Sequence, residues 1–167
     1  MTKYPIDGPW SGELFVIARP RGADWLEDEL GELRREGFDV IVSLLTGEEK
    51  SEMGLLRFAE MSKSHGIDFY EFPIPDLGTP PLLDAEQFLD HIKSDLDAGR
   101  QVGIHCRQSI GRSGLMAIGL LIMAGVEPES AIRRVSSARG LSVPETTEQR
   151  DWLYTLAQDL IEPAAKR

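Results

Sequence analysis

Gln101-Val102-Gly103-Ile104-His105-Cys106-Arg107-Gln108-Ser109-Ile110-Gly111-Arg112-Ser113-Gly114-Leu115 is the stretch on which the fold turns. Its first five residues read as a short strand, and Leu115–Met123, apolar around its full circumference, reads as a central buried helix. Strand, tight polar loop and buried helix in immediate succession are the start of an α/β unit. Outward from this stretch the same alternation repeats. Residues 13–18 and 39–45 read as strands, and 67–72 alternates like one. Helical spacing of apolar residues runs over 23–36, with Trp25, Leu26, Leu30 and Leu33 on one face, and again over about 52–64. Asp84 is the expected N-cap of a helix carrying Phe88, Leu89, Ile92 and Leu96, and two further helices fit 128–138 and 145–161. Strands separated by helices predict one α/β sandwich over 1–167, with a largely parallel sheet of four to five strands and helices on both faces. Ligands of such sheets bind beyond the carboxyl ends of the strands.

Composition narrows the function. Eighteen Lys and Arg against 28 Asp and Glu give a net charge of −10, which argues against nucleic acid as a partner. The single cysteine excludes an internal disulfide, and the first ten residues lack the apolar core of a leader. The longest apolar stretch, 114–126, falls short of the roughly 20 residues that span a bilayer. The expectation is a cytoplasmic protein without a membrane partner, monomeric by default.

The loop itself carries chemistry. The backbone of 107–112 can curl into an anion-binding nest at a helix N-terminus, with Arg107, Gln108, Ser109, Ile110, Gly111 and Arg112 as the phosphate-binding set. Gly111 lets the backbone approach closely, and Arg112 supplies a planar fork for two phosphate oxygens. Cys106 at the mouth of that positive cradle is favoured as a thiolate nucleophile, and the Ser113 hydroxyl is placed to donate to its sulfur.

His105-Cys106-x5-Arg112-Ser113 resembles the signature of the cysteine-dependent protein tyrosine and dual-specificity phosphatases, and the spacing is most similar to the kinase-associated phosphatase branch and its bacterial relatives. Pro73-Ile74-Pro75-Asp76-Leu77-Gly78-Thr79-Pro80 is similar to that family's general-acid loop, and Pro144-Glu145-Thr146-Thr147-Glu148-Gln149 to its glutamine-bearing loop. The resemblance implies a two-step hydrolysis through a cysteinyl-phosphate. Cys106 attacks, Arg112 holds the phosphoryl group, Asp76 serves as acid and then base, and Gln149 helps to place the water. His105 supports the loop and the thiolate, and no metal or other cofactor is needed. The implied partner is a phosphoprotein or phosphopeptide. Glu145 stands where many relatives carry glutamine, and as a carboxylate beside a phosphate site it is left out of the catalytic set.

Other readings compete with each of these. Asp76 in a proline-rich loop can simply make a turn, and Gln149 can be a solvated helix residue. Asp68 and Asp84 are rivals for the acid, one in a strand and one at a helix start. Arg133, Arg134 and Arg139 suit a second acidic group on the substrate or a solvated face. Trp10, Trp25 and Trp152 read as packing residues, and His65 and His91 have no partner motif. At the level of function, a non-hydrolysing phosphopeptide-binding module and a phosphoinositide or small-ester phosphatase are the alternatives. The presence of cysteine, arginine and acid together argues for turnover, and Arg107 as the one extra charge in the loop argues against a lipid headgroup.

Overall fold

The computed structural model describes residues 1–162; the last five of the expected 1–167 domain lie outside the described residues. Five strands, β1 (Lys3–Ile6), β2 (Glu13–Ile17), β3 (Val40–Ser43), β4 (Asp68–Glu71) and β5 (Gln101–His105), form one sheet in the order β1-β2-β5-β3-β4. All neighbours run parallel except β1, which lies antiparallel to β2 at one edge. The helices are α1 (Leu26–Arg35), preceded by a 3-10 turn at Ala23–Trp25, α2 (Gly47–Glu52), α3 (Phe58–Ser64), α4 (Leu82–Asp97), α5 (Gly111–Met123), α6 (Pro128–Arg139) and α7 (Thr147–Ile161). None of the described helices is long and apolar enough to cross a membrane.

Alternation along the central strands builds two cores. Val16, Val42, Val102 and Ile104 point to the face covered by α4 to α7, whereas Phe15, Ile17 and Ile41 point to the face covered by α1 and α3. The register places Ile104 opposite both Val16 and Val42, so the first core is continuous across three strands. Helix α5 is buried from Gly111 through Ile122. Each of its fully buried Leu and Ile side chains removes enough apolar surface from water to contribute roughly 1.5–3 kcal/mol.

Several expected boundaries shift. The helix expected over 52–64 starts only at Phe58: α2 ends at Glu52, and a turn with Gly54 in the left-handed region (φ +69°) separates it from α3. There the Gly54 carbonyl accepts from the Ala23 amide at 2.8 Å, and Leu55 is buried while Leu56 is exposed. Helix α4 starts at Leu82 behind Pro81, so Asp84 lies in its first turn and is not the cap. Trp25 does not pack in the helical face: it is 54% exposed, with the Arg21 guanidinium 4.2 Å above its ring. Trp10 and Trp152 do pack against or within the larger core. Strand β1 is an edge strand that the periodicity does not reveal, since only Ile6 of its four residues is buried.

The parallel strands all end on one side of the molecule. From β5 the chain passes straight into Cys106, from β3 into Leu44-Leu45-Thr46, and from β4 into Phe72-Pro73. The loops that carry the chemistry therefore share one rim of the sheet.

Candidate active site

The crest of the loop after β5 is held from two directions. Ser109 takes a left-handed conformation (φ +56°), its hydroxyl donates to the Ile17 carbonyl at the end of β2, and its own carbonyl accepts from Arg139 Nε of α6 at 2.8 Å. Arg139 in turn lies 3.9 Å over the Tyr4 ring of β1. The guanidinium read as a possible anion reader is thus engaged with the crest of the loop. Helix α5 begins at Gly111 with no side-chain cap, which leaves the donors of its first turn without a protein side-chain acceptor.

Cys106 is 2% exposed and lies in the wall of a cavity of about 60 Å³, together with Asp76, Leu77, Arg107, Gln108, Gly111, Arg112 and Glu145. Ser109 and Ile110 belong to the same loop but do not line this cavity: Ser109 is buried against β2 and Ile110 packs on the core. A cavity of this volume is of the order of one phosphoryl group.

Arg112 is the largest fully buried side chain of the protein. Nη1 donates to Glu49 Oε1 at 2.7 Å and to the Ile74 carbonyl at 2.8 Å, and Nη2 donates to Glu49 Oε2 at 2.9 Å. Nη2 also stands 3.4 Å from Asp76 Oδ1. Arg112 Nε is buried without a hydrogen-bond partner, and so is the Ser113 hydroxyl, which makes no bond to the sulfur in this structure.

Glu49 is a residue that the periodicity and motif reading did not single out. It occupies the third position of α2 and closes a capping box with Thr46: the Glu49 amide donates to Thr46 Oγ1 at 3.3 Å, and Thr46 N donates to Glu49 Oε1 at 3.1 Å. The same carboxylate grips the arginine, and that bidentate contact is the main reason its acidity is driven from the ordinary 4.5 down to about 2. Arg112 is itself pushed the other way: burial lowers its proton affinity, but Glu49, Cys106 and Asp76 together more than offset it. The signal in the sequence was the T-x-x-E pattern just beyond an apolar strand, at Thr46-Gly47-Glu48-Glu49.

His105 is fully buried and stacks on Phe58, with ring centroids 5.8 Å apart. Burial pushes its imidazole from 6.5 down to about 4, so the ring is neutral near pH 7. Its Nδ1 is 3.3 Å from the Cys106 carbonyl, where it donates to the backbone, and its Nε2 is unpartnered. His105 thus supports Cys106 through the main chain.

The opposite bank of the cavity is the proline-rich loop after β4. Ile74 N donates to the Leu44 carbonyl at 3.1 Å, and Gly78 N closes a turn onto Pro75 O at 2.9 Å with Leu77 at φ +63°. Gln149 is fully buried: Nε2 donates to Gly78 O at 3.2 Å, while Oε1 accepts from Glu145 N at 3.1 Å. Both ends of the amide expected to handle water are engaged with protein backbone. Trp152 Nε1 donates to Pro80 O at 2.9 Å. Asp76 itself projects outward at the tip, its side chain 66% exposed.

The rivals fall elsewhere. Asp68 pairs with Arg100 at 2.6 Å on the far end of β4, and Arg134 donates to the Asp7 carbonyl at 3.0 Å. His65 Nε2 lies 3.1 Å from Glu27, and His91 packs 4.8 Å from the Tyr70 ring.

Comparison with known proteins places this arrangement. Residues 16–126 match a family model described as the DSP-PTPase phosphatase of polymorphic toxin systems. Cyclin-dependent kinase inhibitor 3 of Rattus norvegicus is 26% identical over 137 residues, which are 81% of this chain and 65% of that protein. The chain therefore spans just under two thirds of that relative. A tyrosine-protein phosphatase of Autographa californica nuclear polyhedrosis virus is 30% identical over 91 residues, 53% of this chain and 54% of the viral one. Among solved structures, kinase associated phosphatase carrying a serine in place of its catalytic-site cysteine superposes with a TM-score of 0.89 at 23% identity, covering 97% of each chain. The active form of Tk-PTP superposes with 0.75 at 26% identity, covering 95% of this chain and 99% of its own.

Proposed function

The chain belongs to the DSP-PTPase phosphatase family, and from that premise we propose that it hydrolyses phosphomonoesters of proteins through a cysteinyl-phosphate. The observation that carries the reading is the meeting of Cys106, Arg112 and Asp76 around one cavity of phosphoryl size. The Cys106 thiolate attacks phosphorus in line, and the bond to the leaving oxygen breaks as Asp76 gives that oxygen its proton. Arg112, fixed by Glu49, offers its remaining N–H donors to the equatorial oxygens together with the first turn of α5. In the second step Asp76 takes a proton from water, the water oxygen bonds to phosphorus, and the S–P bond breaks to return the thiolate and release phosphate.

The proposed phosphate-binding set is Arg107, Gln108, Gly111 and Arg112 with the loop backbone of Ser109 and Ile110. Gln149 acts in this reading as a positioning residue that ties the acid loop to the turn at Glu145, Ser113 is placed to donate to the leaving sulfur, and His105 steadies the backbone of Cys106. A cavity this small around Cys106 suits phosphotyrosine and phosphoserine or phosphothreonine alike. A lone cysteine that works as a thiolate fits a reducing compartment such as the cytoplasm.

Hydrolysis of an aryl phosphate in the presence of a chelator tests the reading. The intact protein is expected to turn over and Cys106→Ser to be inactive. Full activity of Cys106→Ser contradicts it.

A further inference from the structure

Two carboxylates line the phosphate cavity, and whereas Asp76 serves as the acid, Glu145 has no role that favours a phosphate. Its carboxylate leans over the loop so closely that a Cβ on Gly111 would stand 2.6 Å from Oε1, so the glycine at 111 is what admits it. Its backbone amide is held by Gln149, which fixes the residue at the rim. Its carboxylate forms no ion pair or hydrogen bond among the described residues.

The charges around it do not compensate. Arg112 and Arg107 supply two positive charges. Glu49 and Asp76 stand against Arg112 at 2.7 and 3.4 Å, and Glu52 stands 3.6 Å from Arg107. Arg19 and Arg139 are engaged with the loop carbonyls of Arg107 and Ser109, at 3.5 and 2.8 Å, so among the described residues no cation is paired with the Glu145 carboxylate. A second hollow of about 370 Å³ shares Asp76 and Arg107 with the cavity and is lined also by Glu48, Glu49 and Glu52. The phosphoryl position is set by Cys106, Gly111 and Arg112 in the cavity wall. Whatever carries the phosphate therefore meets Glu145 at the cavity wall and Glu48 and Glu52 in the adjoining hollow.

Resting on the phosphatase reading above, we propose that Glu145 is a specificity-determining residue that selects phosphopeptides bearing Lys or Arg beside the phosphorylated residue. A substrate that brings its own cation neutralises the lip carboxylate as the dianion enters. A substrate with acidic neighbours, or a polyphosphorylated headgroup, adds like charge to a mouth that is already negative. Because the pairing is at a solvent-exposed lip, its effect is moderate and falls as salt rises.

The test uses two phosphotyrosine peptides of equal length, one with Lys and one with Glu on both sides of the phosphorylated residue, with kcat/KM measured at low and high salt. The intact protein is expected to prefer the basic peptide about tenfold at low salt. Glu145→Gln should lower that ratio about threefold to fivefold, and Glu145→Arg should bring it to unity or below. An unchanged ratio in both variants, or equal rates on the two peptides in the intact protein, overturns the role of Glu145 while leaving the hydrolysis standing. Failure to hydrolyse either peptide or a neutral aryl phosphate overturns the phosphatase reading and this inference with it.

Discussion

The two banks of the cavity are built differently. On one, Cys106, Ser109 and Arg112 are each no more than 3% exposed, locked to β2, α2 and α6 through Ile17, Glu49 and Arg139. On the other, Asp76 and Leu77 stand out in solvent, Asp76 meeting the rigid bank through a single contact of 3.4 Å to Arg112, and the loop that bears them is tied down behind its tip at Ile74, Gly78 and Pro80. A group that must recognise a fixed tetrahedron gains by being ordered before the substrate arrives, because no reorganisation is needed as charge develops. A group that delivers a proton to leaving oxygens of different substrates gains from reach. The difference between the banks is a division between binding and proton transfer, and each can be broken separately.

The largest effect is expected on the rigid bank. Arg112→Ala removes the fork from the phosphoryl group and leaves the Glu49 carboxylate buried without its cation. Steady-state kinetics on an aryl phosphate should show kcat/KM down by roughly 10⁴-fold. On the exposed bank, Asp76→Asn should lower kcat by about a hundred- to a thousandfold with KM nearly unchanged. An equal rise in KM would show that Asp76 binds rather than protonates.

Glu49→Gln separates order from charge. The arginine stays, its clamp weakens, and urea unfolding at pH 7 should show a loss of roughly 3 kcal/mol, as for other broken buried pairs. Acid acts on the same contact. Glu49 is held at about 2 in the folded protein against 4.5 ordinarily, so its stabilisation is complete above pH 4.5 and is lost as pH falls toward 2. His105 adds an earlier loss between pH 6.5 and 4, because the unfolded chain takes a proton that the buried ring refuses. Unfolding curves at several pH values should therefore show both phases in the intact protein and only the upper one in Glu49→Gln. Trp152→Phe removes one tie to the acid loop at Pro80 and should give the smallest change, about 1 kcal/mol in stability with kcat lowered a few-fold.

The sequence was readable where one residue type had one reason to be there. An all-apolar helix directly after His105-Cys106-x5-Arg112 has few ways to fold, and the parallel sheet with helices on both faces followed from it. Glu49 was hidden because Glu48-Glu49-Lys50-Ser51-Glu52 carries the charge pattern of a solvated helix, and only tertiary folding brings Arg112 to it. The β1 strand was hidden for a related reason: Lys3-Tyr4-Pro5-Ile6 puts a proline in an edge strand with one buried side chain, so no alternation survives. The placing of Arg139 against Ser109 joins residues thirty apart through a left-handed turn, and no local pattern encodes it. Gln149 was found by its loop, but its hydrogen bonds to Glu145 and Gly78 depend on where that loop lands.

The central claim is that one sulfur carries the phosphoryl group between the two steps. Rapid acid quench of the protein during turnover of an aryl phosphate, followed by peptide mass mapping, examines that bond itself. The account predicts a peptide containing Cys106 heavier by one phosphoryl group, more abundant in Asp76→Asn with a good leaving group, where attack proceeds and hydrolysis stalls. Turnover with no phosphorylated Cys106 at any quench time, in either protein, would contradict it.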